Sequence, residues 1–169
     1  MKTKLAFTLL LFITTVFCFG QQNTEWDKWS WLIGEWTGEG GGHPGQGSGT
    51  FSFSFDLNKK IIVRKSHSEY PATENKPAVI HDDLMIIYLD FNENPTKAIY
   101  FDNEGHVIDY SISYADKAVK LTSKKMQGAP VFRLTYTLLE DERINTKFEM
   151  SQDGENFMTY VEGKSKRSN

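Results

Sequence analysis

From Gly34 onward the chain alternates apolar and polar side chains with a period of two, in one short run after another. That spacing belongs to strands with one face buried and the other in water. Phe51-Ser52-Phe53-Ser54-Phe55-Asp56 is the clearest run and puts three rings on one side. Strands are predicted from Gly34, Thr50, Ile61, His81, Lys97, His106, Ala118, Val131, Arg143 and Phe157, about ten in all, each joined to the next by a short connection. After Trp31 no helical stretch is long enough to cover a sheet's second face. An antiparallel meander of this length must roll shut to bury its apolar side and remove its edges. The expected fold is all-β, a closed antiparallel up-and-down barrel with a short N-terminal helical turn, and its inward side chains are expected to leave room for a small ligand.

The turns set which residues face one another. A turn at Asp102-Asn103-Glu104-Gly105 pairs Phe101 with His106 and Ile99 with Ile108, and Tyr110, Ile112 and Tyr114 continue that face. A turn at Asp116-Lys117 brings Val119 opposite Tyr114 and Leu121 opposite Ile112. The Asp153-Gly154 turn pairs Met150 with Phe157 and Phe148 with Thr159. At Glu140-Asp141-Glu142 an odd-numbered loop or a bulge is required for Leu138 to meet Ile144 and Leu134 to meet Phe148. The longest connection, Pro71 to Pro77, is a candidate rim over the cavity.

Ahead of this pattern, Thr24-Glu25-Trp26-Asp27 reads as a helix N-cap and first turn, with Glu25 and Asp27 suiting its positive end. Trp29, Leu32 and Ile33 then share a face, and the turn is expected to close one end of the barrel. Trp26, Trp29 and Trp31 also suit carbohydrate stacking, but the area each ring buries favours packing of a lid. Met1 to Gly20 joins Lys2 and Lys4 to an apolar run from Leu5 to Phe17 and ends in Cys18-Phe19-Gly20. That is the anatomy of a secretory signal, too short for a membrane span. Residues 21–169 are then one domain, exported to the periplasm or secreted. Phe17 is bulky where a lipid-attachment signal at Cys18 prefers a small residue.

Cleavage removes the one cysteine, so neither a disulfide nor a thiol nucleophile remains and stability rests on the core. It also takes two lysines from a chain whose net charge is already −3. A mildly acidic domain with no basic block is a poor partner for nucleic acid or an anionic membrane. The closing Lys164-Ser165-Lys166-Arg167 is expected to be a solvated, frayed end.

One stretch departs from plain alternation. From Gly34 to Pro44, a tryptophan follows a glycine by two residues and is itself followed by Gly38, Gly40, Gly41 and Gly42. Glycine in a strand marks a sharp bend or a closely approached backbone, which places Trp36 to plug the base of a barrel whose first strand curls hard. Gly34-Glu35-Trp36 resembles the Gly-x-Trp that lipocalins of the calycin superfamily carry on their first strand after a short helical turn. Gly38, Gly40 and Gly42 look more like nitrobindin-type haem-binding barrels, in which such glycines run into a His-Tyr-Pro or similar tripeptide; here His43 meets Pro44 directly. The resemblance implies a lipocalin-like barrel. In nitrobindin-type barrels a histidine near the C-terminus holds the iron, whereas His106 is the last histidine of this chain, so that ligation does not carry over.

Cavity candidates follow from the inward faces. Trp36 and Phe53 supply rings, and Tyr88, Tyr110 and Tyr136, with Tyr100, supply hydroxyls. Arg64 depends on the Leu57-Asn58-Lys59-Lys60 turn. A two-residue loop sets it beside Phe53, where an inward guanidinium needs an anionic ligand or a buried carboxylate. A three-residue loop turns it to solvent, and that outward arrangement is the one expected, as it is for Arg133. His67, Glu69, His81, Asp82 and Asp83 flank the long loop on neighbouring strands, but their spacing matches no compact metal signature, and a hydrogen-bonded surface cluster is expected. His106 is expected inward near a rim, as a satisfied polar group.

For enzymes the sequence is quiet. Ser66-His67 and Ser68-Glu69 alternate across a strand and make no nucleophile and base pair, and neither a nucleophile elbow nor a phosphate loop is present. The leading expectation is an exported barrel that binds a small hydrophobic or amphipathic ligand. The second is a haem barrel acting on nitric oxide or peroxynitrite through a displaced ligand such as His67 or His106. The third is a solid-packed structural or interaction barrel.

Overall fold

The computed structural model describes residues 25–40, 49–72 and 77–168. The expected secretory signal over 1–20, Cys18, Thr24, the Gly41 to Pro44 part of the glycine-rich stretch and Thr73 to Lys76 of the long loop lie outside the described residues. Ten strands follow a 3-10 turn, Asp27–Trp29. They are β1 (Gly34–Gly38), β2 (Thr50–Asp56), β3 (Ile61–Tyr70), β4 (Val79–Tyr88), β5 (Lys97–Asp102), β6 (Val107–Ala115), β7 (Ala118–Ser123), β8 (Val131–Leu138), β9 (Ile144–Ser151) and β10 (Met158–Arg167). Each pairs antiparallel with its neighbours in sequence, and β10 closes onto β1. Closure is what the alternation requires, since each strand has one apolar face and an open sheet would leave two edges unpaired.

The lid turn packs as a plug. Trp26 sits at its N-cap position with no side-chain cap, so the turn is held by burial instead. Trp26 and Trp29 are buried. The Trp26 indole N–H donates to the Lys59 carbonyl at 2.8 Å, that of Trp29 to the Tyr114 hydroxyl at 2.8 Å, and that of Trp36 to the Leu32 carbonyl at 2.9 Å. Each ring therefore gives up its water while its single donor stays satisfied.

Lys164 to Arg167 are not frayed, which corrects the expectation for them. They belong to β10, and the Arg167 guanidinium lies 4.4 Å over the Trp36 ring while donating to the carbonyls of Ile33 at 2.8 Å and Trp31 at 3.2 Å. A cation over an indole face, bonded to two carbonyls, ties the final strand to the lid. Gly34 follows from this: its φ is +127°, and a Cβ there would overlap Arg167 Nη1. The Gly-x-Trp pattern is here a gap for a guanidinium and the ring it rests on.

Register decides which side chains face inward. The β6–β7 hairpin pairs Tyr114 with Val119 and Ile112 with Leu121, as the turn at Asp116-Lys117 predicts. The β8–β9 hairpin pairs Leu138 with Ile144 and Leu134 with Phe148. Its odd count comes from a three-residue loop closed by the Leu139 N–H on the Arg143 carbonyl at 2.8 Å, with Glu142 at φ 63°.

Two hairpins differ from expectation. In β5–β6, Phe101 faces Val107 and Tyr100 faces Ile108. A three-residue turn, Asn103 to Gly105, causes the slip: Gly105 has φ 90°, and the Asp102 N–H meets the His106 carbonyl at 3.3 Å. One residue of slip exchanges the faces, so Ile99 and Phe101 turn outward while Tyr100 and Asp102 turn in. In β9–β10, Met150 faces Met158 and Phe148 faces Val161, with a bulge between Thr159 and Val161. The Asp153 carboxylate lengthens that turn by accepting from the Ser151 hydroxyl and from the amides of Glu155 and Asn156.

Candidate ligand site

The β2–β3 hairpin carries the first site residue. Leu57, Asn58 and Lys59 have φ of 46°, 55° and 64°, and the even count they produce sets Arg64 opposite Phe53. Arg64 therefore points inward and is 7% exposed, correcting the outward expectation. It pairs with the Asp83 carboxylate of β4, which is equally buried, and its Cζ lies 5.7 Å from the Phe51 ring and 5.9 Å from the Tyr136 ring. Burial works against the guanidinium's charge, but Asp83 and the tyrosines around it more than offset that, and its pKa is raised. Burial pushes the Asp83 carboxyl above the usual carboxylate range, opposed in part by Arg64 and His81.

From this pair a line of polar side chains runs along β4 and β5 toward the end opposite the lid. His81 Nε2 is 3.9 Å from the Asp83 carboxylate and 3.1 Å from the Tyr100 hydroxyl, and its Nδ1 is 3.1 Å from the Glu104 carboxylate. The Tyr100 hydroxyl donates to Asp102 at 3.3 Å. Burial, with Asp83 and Asp102 nearby, raises the Tyr100 phenol far above its ordinary value. Burial alone would raise the Asp102 carboxyl too, but the His106 amide and ring hold it below the usual range.

Across the barrel the wall is apolar. Phe132 of β8 and Phe148 of β9 stack with centroids 5.7 Å apart and Val161 faces Phe148, while the exposed Tyr160 of the bulge meets the Phe148 ring edge-on at 6.2 Å. Between the two walls stand three buried polar atoms with no hydrogen-bond partner among the described residues: Arg64 Nε, the Tyr136 hydroxyl and Thr146 Oγ1. Tyr136 and Thr146 are cross-strand partners, and Gly163 of β10 faces Thr146 from the other side. An unmet buried polar group costs about 1–3 kcal/mol, so these three atoms are a cost that packing alone does not repay.

Of the sequence-derived candidates, Trp36, Phe53, Tyr110 and Tyr136 are inward and buried. Three others lie outside. His67 is turned out because Arg64 is turned in; its Nδ1 is 2.6 Å from Asp82 and its Nε2 3.0 Å from Glu69, and hydrogen bonds to these carboxylates raise its pKa. Tyr88 is exposed on the outer face beside Lys97. His106 stands in the β5–β6 turn with its side chain 62% exposed and its Nδ1 2.8 Å from Asp102, which corrects the inward expectation. Haem does not fit this arrangement through His67 or His106, since both imidazoles are outside, and the inward His81 has both nitrogens engaged. Arg133 is outward as expected, bound to Glu149 at 2.7 and 2.9 Å.

Sequence reading missed Asp83 as an interior residue, along with Asp102 and Thr146, and it counted Tyr100 among the cavity hydroxyls although the four-residue turn it expected would face Tyr100 outward. Asp83 had a usable signal, since it shares parity with Met85 and Ile87; Asp102 had none, because its facing depends on the three-residue turn. The interior is also fuller than expected: Phe51, Phe53 and Tyr136 meet with centroids 5.3 to 6.1 Å apart.

An open groove of about 660 Å³ lies outside the barrel. Its sides are the outward rows Ser52, Lys65, Leu84, Phe101 and Thr50, His67, Asp82, Asn103, and its floor is the strand backbone between them. Among the described residues no group of three or more His, Cys, Asp or Glu is placed to hold a metal ion. No family model matches the chain, and a search of the curated proteins finds no match.

Proposed function

We propose that this chain is an exported barrel that binds a small amphipathic molecule, with the polar head on Arg64, Tyr136 and Thr146 and the apolar part along Phe132, Phe148 and Val161 toward the end opposite the lid. The observation that carries the reading is the set of three unpartnered polar atoms in the interior. Natural cores satisfy nearly all such groups, so a cluster left unmet is better explained by a guest than by packing. Gly163 supports it, because the residue opposite Thr146 on the neighbouring strand carries no side chain to pack over that hydroxyl. Export rests on the charged, then apolar, first twenty residues.

Native mass spectrometry and titration with Nile red, a neutral apolar dye, test the reading together. The expected result is a retained small molecule or saturable dye uptake, with Gly163→Leu weakening uptake about tenfold or more by setting a bulky side chain against Thr146. A protein that retains nothing and takes up no dye would be a solid-packed barrel, and the binding reading would be withdrawn.

A further inference from the structure

We infer that the head of the bound molecule is uncharged and offers a hydrogen-bond acceptor, as an alcohol or a carbonyl does, instead of a carboxylate or an ammonium group. The inference rests on the ligand reading above and narrows it to a chemical class.

A buried Arg64 set among aromatic rings would ordinarily favour an anion. Here its charge already has a counter-charge in Asp83, in direct contact and equally buried. An added carboxylate would meet Asp83 at close range in a poorly solvated interior, where like charges are expensive. Burial already raises the Asp83 carboxyl, and a second anion would push it further in the same direction. An ammonium head would meet the guanidinium instead. What is left unmet is local and neutral: one N–H on Arg64 that needs an acceptor, and two hydroxyls on Tyr136 and Thr146 that can each donate or accept. A hydroxyl or carbonyl oxygen has two lone pairs, enough for Arg64 Nε and one hydroxyl, and an alcohol O–H adds a donor for the other. Phe51 and Phe53 flank Arg64 and give a charged head no further polar contact.

Displacement of bound Nile red at pH 7 by 1-decanol, decanoate and decylammonium tests this with the chain length held constant. The expected order has 1-decanol displacing the dye at a concentration about tenfold or more below either ion. Asp83→Asn removes the counter-charge and is expected to reverse the order, with decanoate gaining about tenfold. If that variant does not fold, Tyr136→Phe combined with Thr146→Val decides: it is expected to weaken 1-decanol about tenfold while decanoate stays as poor as before. Decanoate displacing the dye from the unaltered protein as well as 1-decanol does, or better, overturns the head-group assignment and leaves the binding reading standing. A protein that admits no dye at all takes both down.

Discussion

At the lid end Trp26, Trp29, Leu32 and Trp36 are buried and the indole nitrogens of these three tryptophans each have an acceptor, whereas the interior farther from the lid holds Arg64, Asp83 and Tyr100 with buried polar atoms that have no partner among the described residues. Both regions come from the same alternation of inward and outward side chains, so the difference lies in what was placed on the inward positions. The first arrangement is what stability asks for: apolar area removed from water with its few polar atoms paired. The second costs stability, because an ion pair and free hydroxyls give less than well-packed apolar side chains of the same volume. Groups that folding does not need are the ones to credit to a ligand.

The comparison breaks most visibly at the lid. Trp36→Ala is expected to lose about 4 kcal/mol, from the deleted ring and the cavity it leaves, read as a lowered midpoint in urea. The loss should come with weaker anchoring of β10, since Arg167 rests on that ring. The polar side sharpens it next. Asp83→Asn strands a buried guanidinium and should cost about 3 kcal/mol, while Arg64→Met with Asp83→Leu should be neutral or more stable than the parent by about 1 kcal/mol or more. A double variant as damaged as the single one would mean that the pair is there for folding. The same chemical denaturation series checks both.

Tyr136→Phe is a smaller and more discriminating change. With the site empty, removing an unmet buried hydroxyl should raise stability by about 1 kcal/mol; with a guest in place the same substitution should lower the thermal midpoint by weakening the guest. The smallest effect is at the rim. His106 is fully outside, and its hydrogen bond to Asp102 raises its pKa above the ordinary 6.5. The folded state thus holds its proton more tightly than the unfolded chain does. The pair's contribution is complete below 6.5 and fades as pH rises through the raised value. Ring-proton NMR should place the titration above 6.5, and Asp102→Asn should return it toward that value.

Much of the fold was legible because it needed only local rules. Ten runs of period two, joined by short turns and followed by no helix, leave closure as the way to bury ten apolar faces. The Asp116-Lys117 turn and the odd loop at Glu140 to Glu142 were also readable from the facing of apolar residues alone. The site was less legible for a geometric reason. In a β-hairpin one residue in the turn reverses the face of every residue after it, and turn length was ambiguous at Leu57 to Lys60, at Asn103 to Gly105 and around Asp153. Those three turns decide whether Arg64, Tyr100, Asp102 and His106 look inward or out, and where Phe148 finds its partner.

By itself, the sequence determined the strand period, the apolar faces and hence the barrel, because alternation is a property of neighbours along the chain. Tertiary structure alone decided that the terminal Arg167 lies across Trp36 in the space Gly34 leaves, and that Arg64, Tyr136 and Thr146 end with unmet polar atoms in one interior. Those meetings join residues far apart in the chain, and only the closing of the sheet, with its register already chosen turn by turn, brings them within reach.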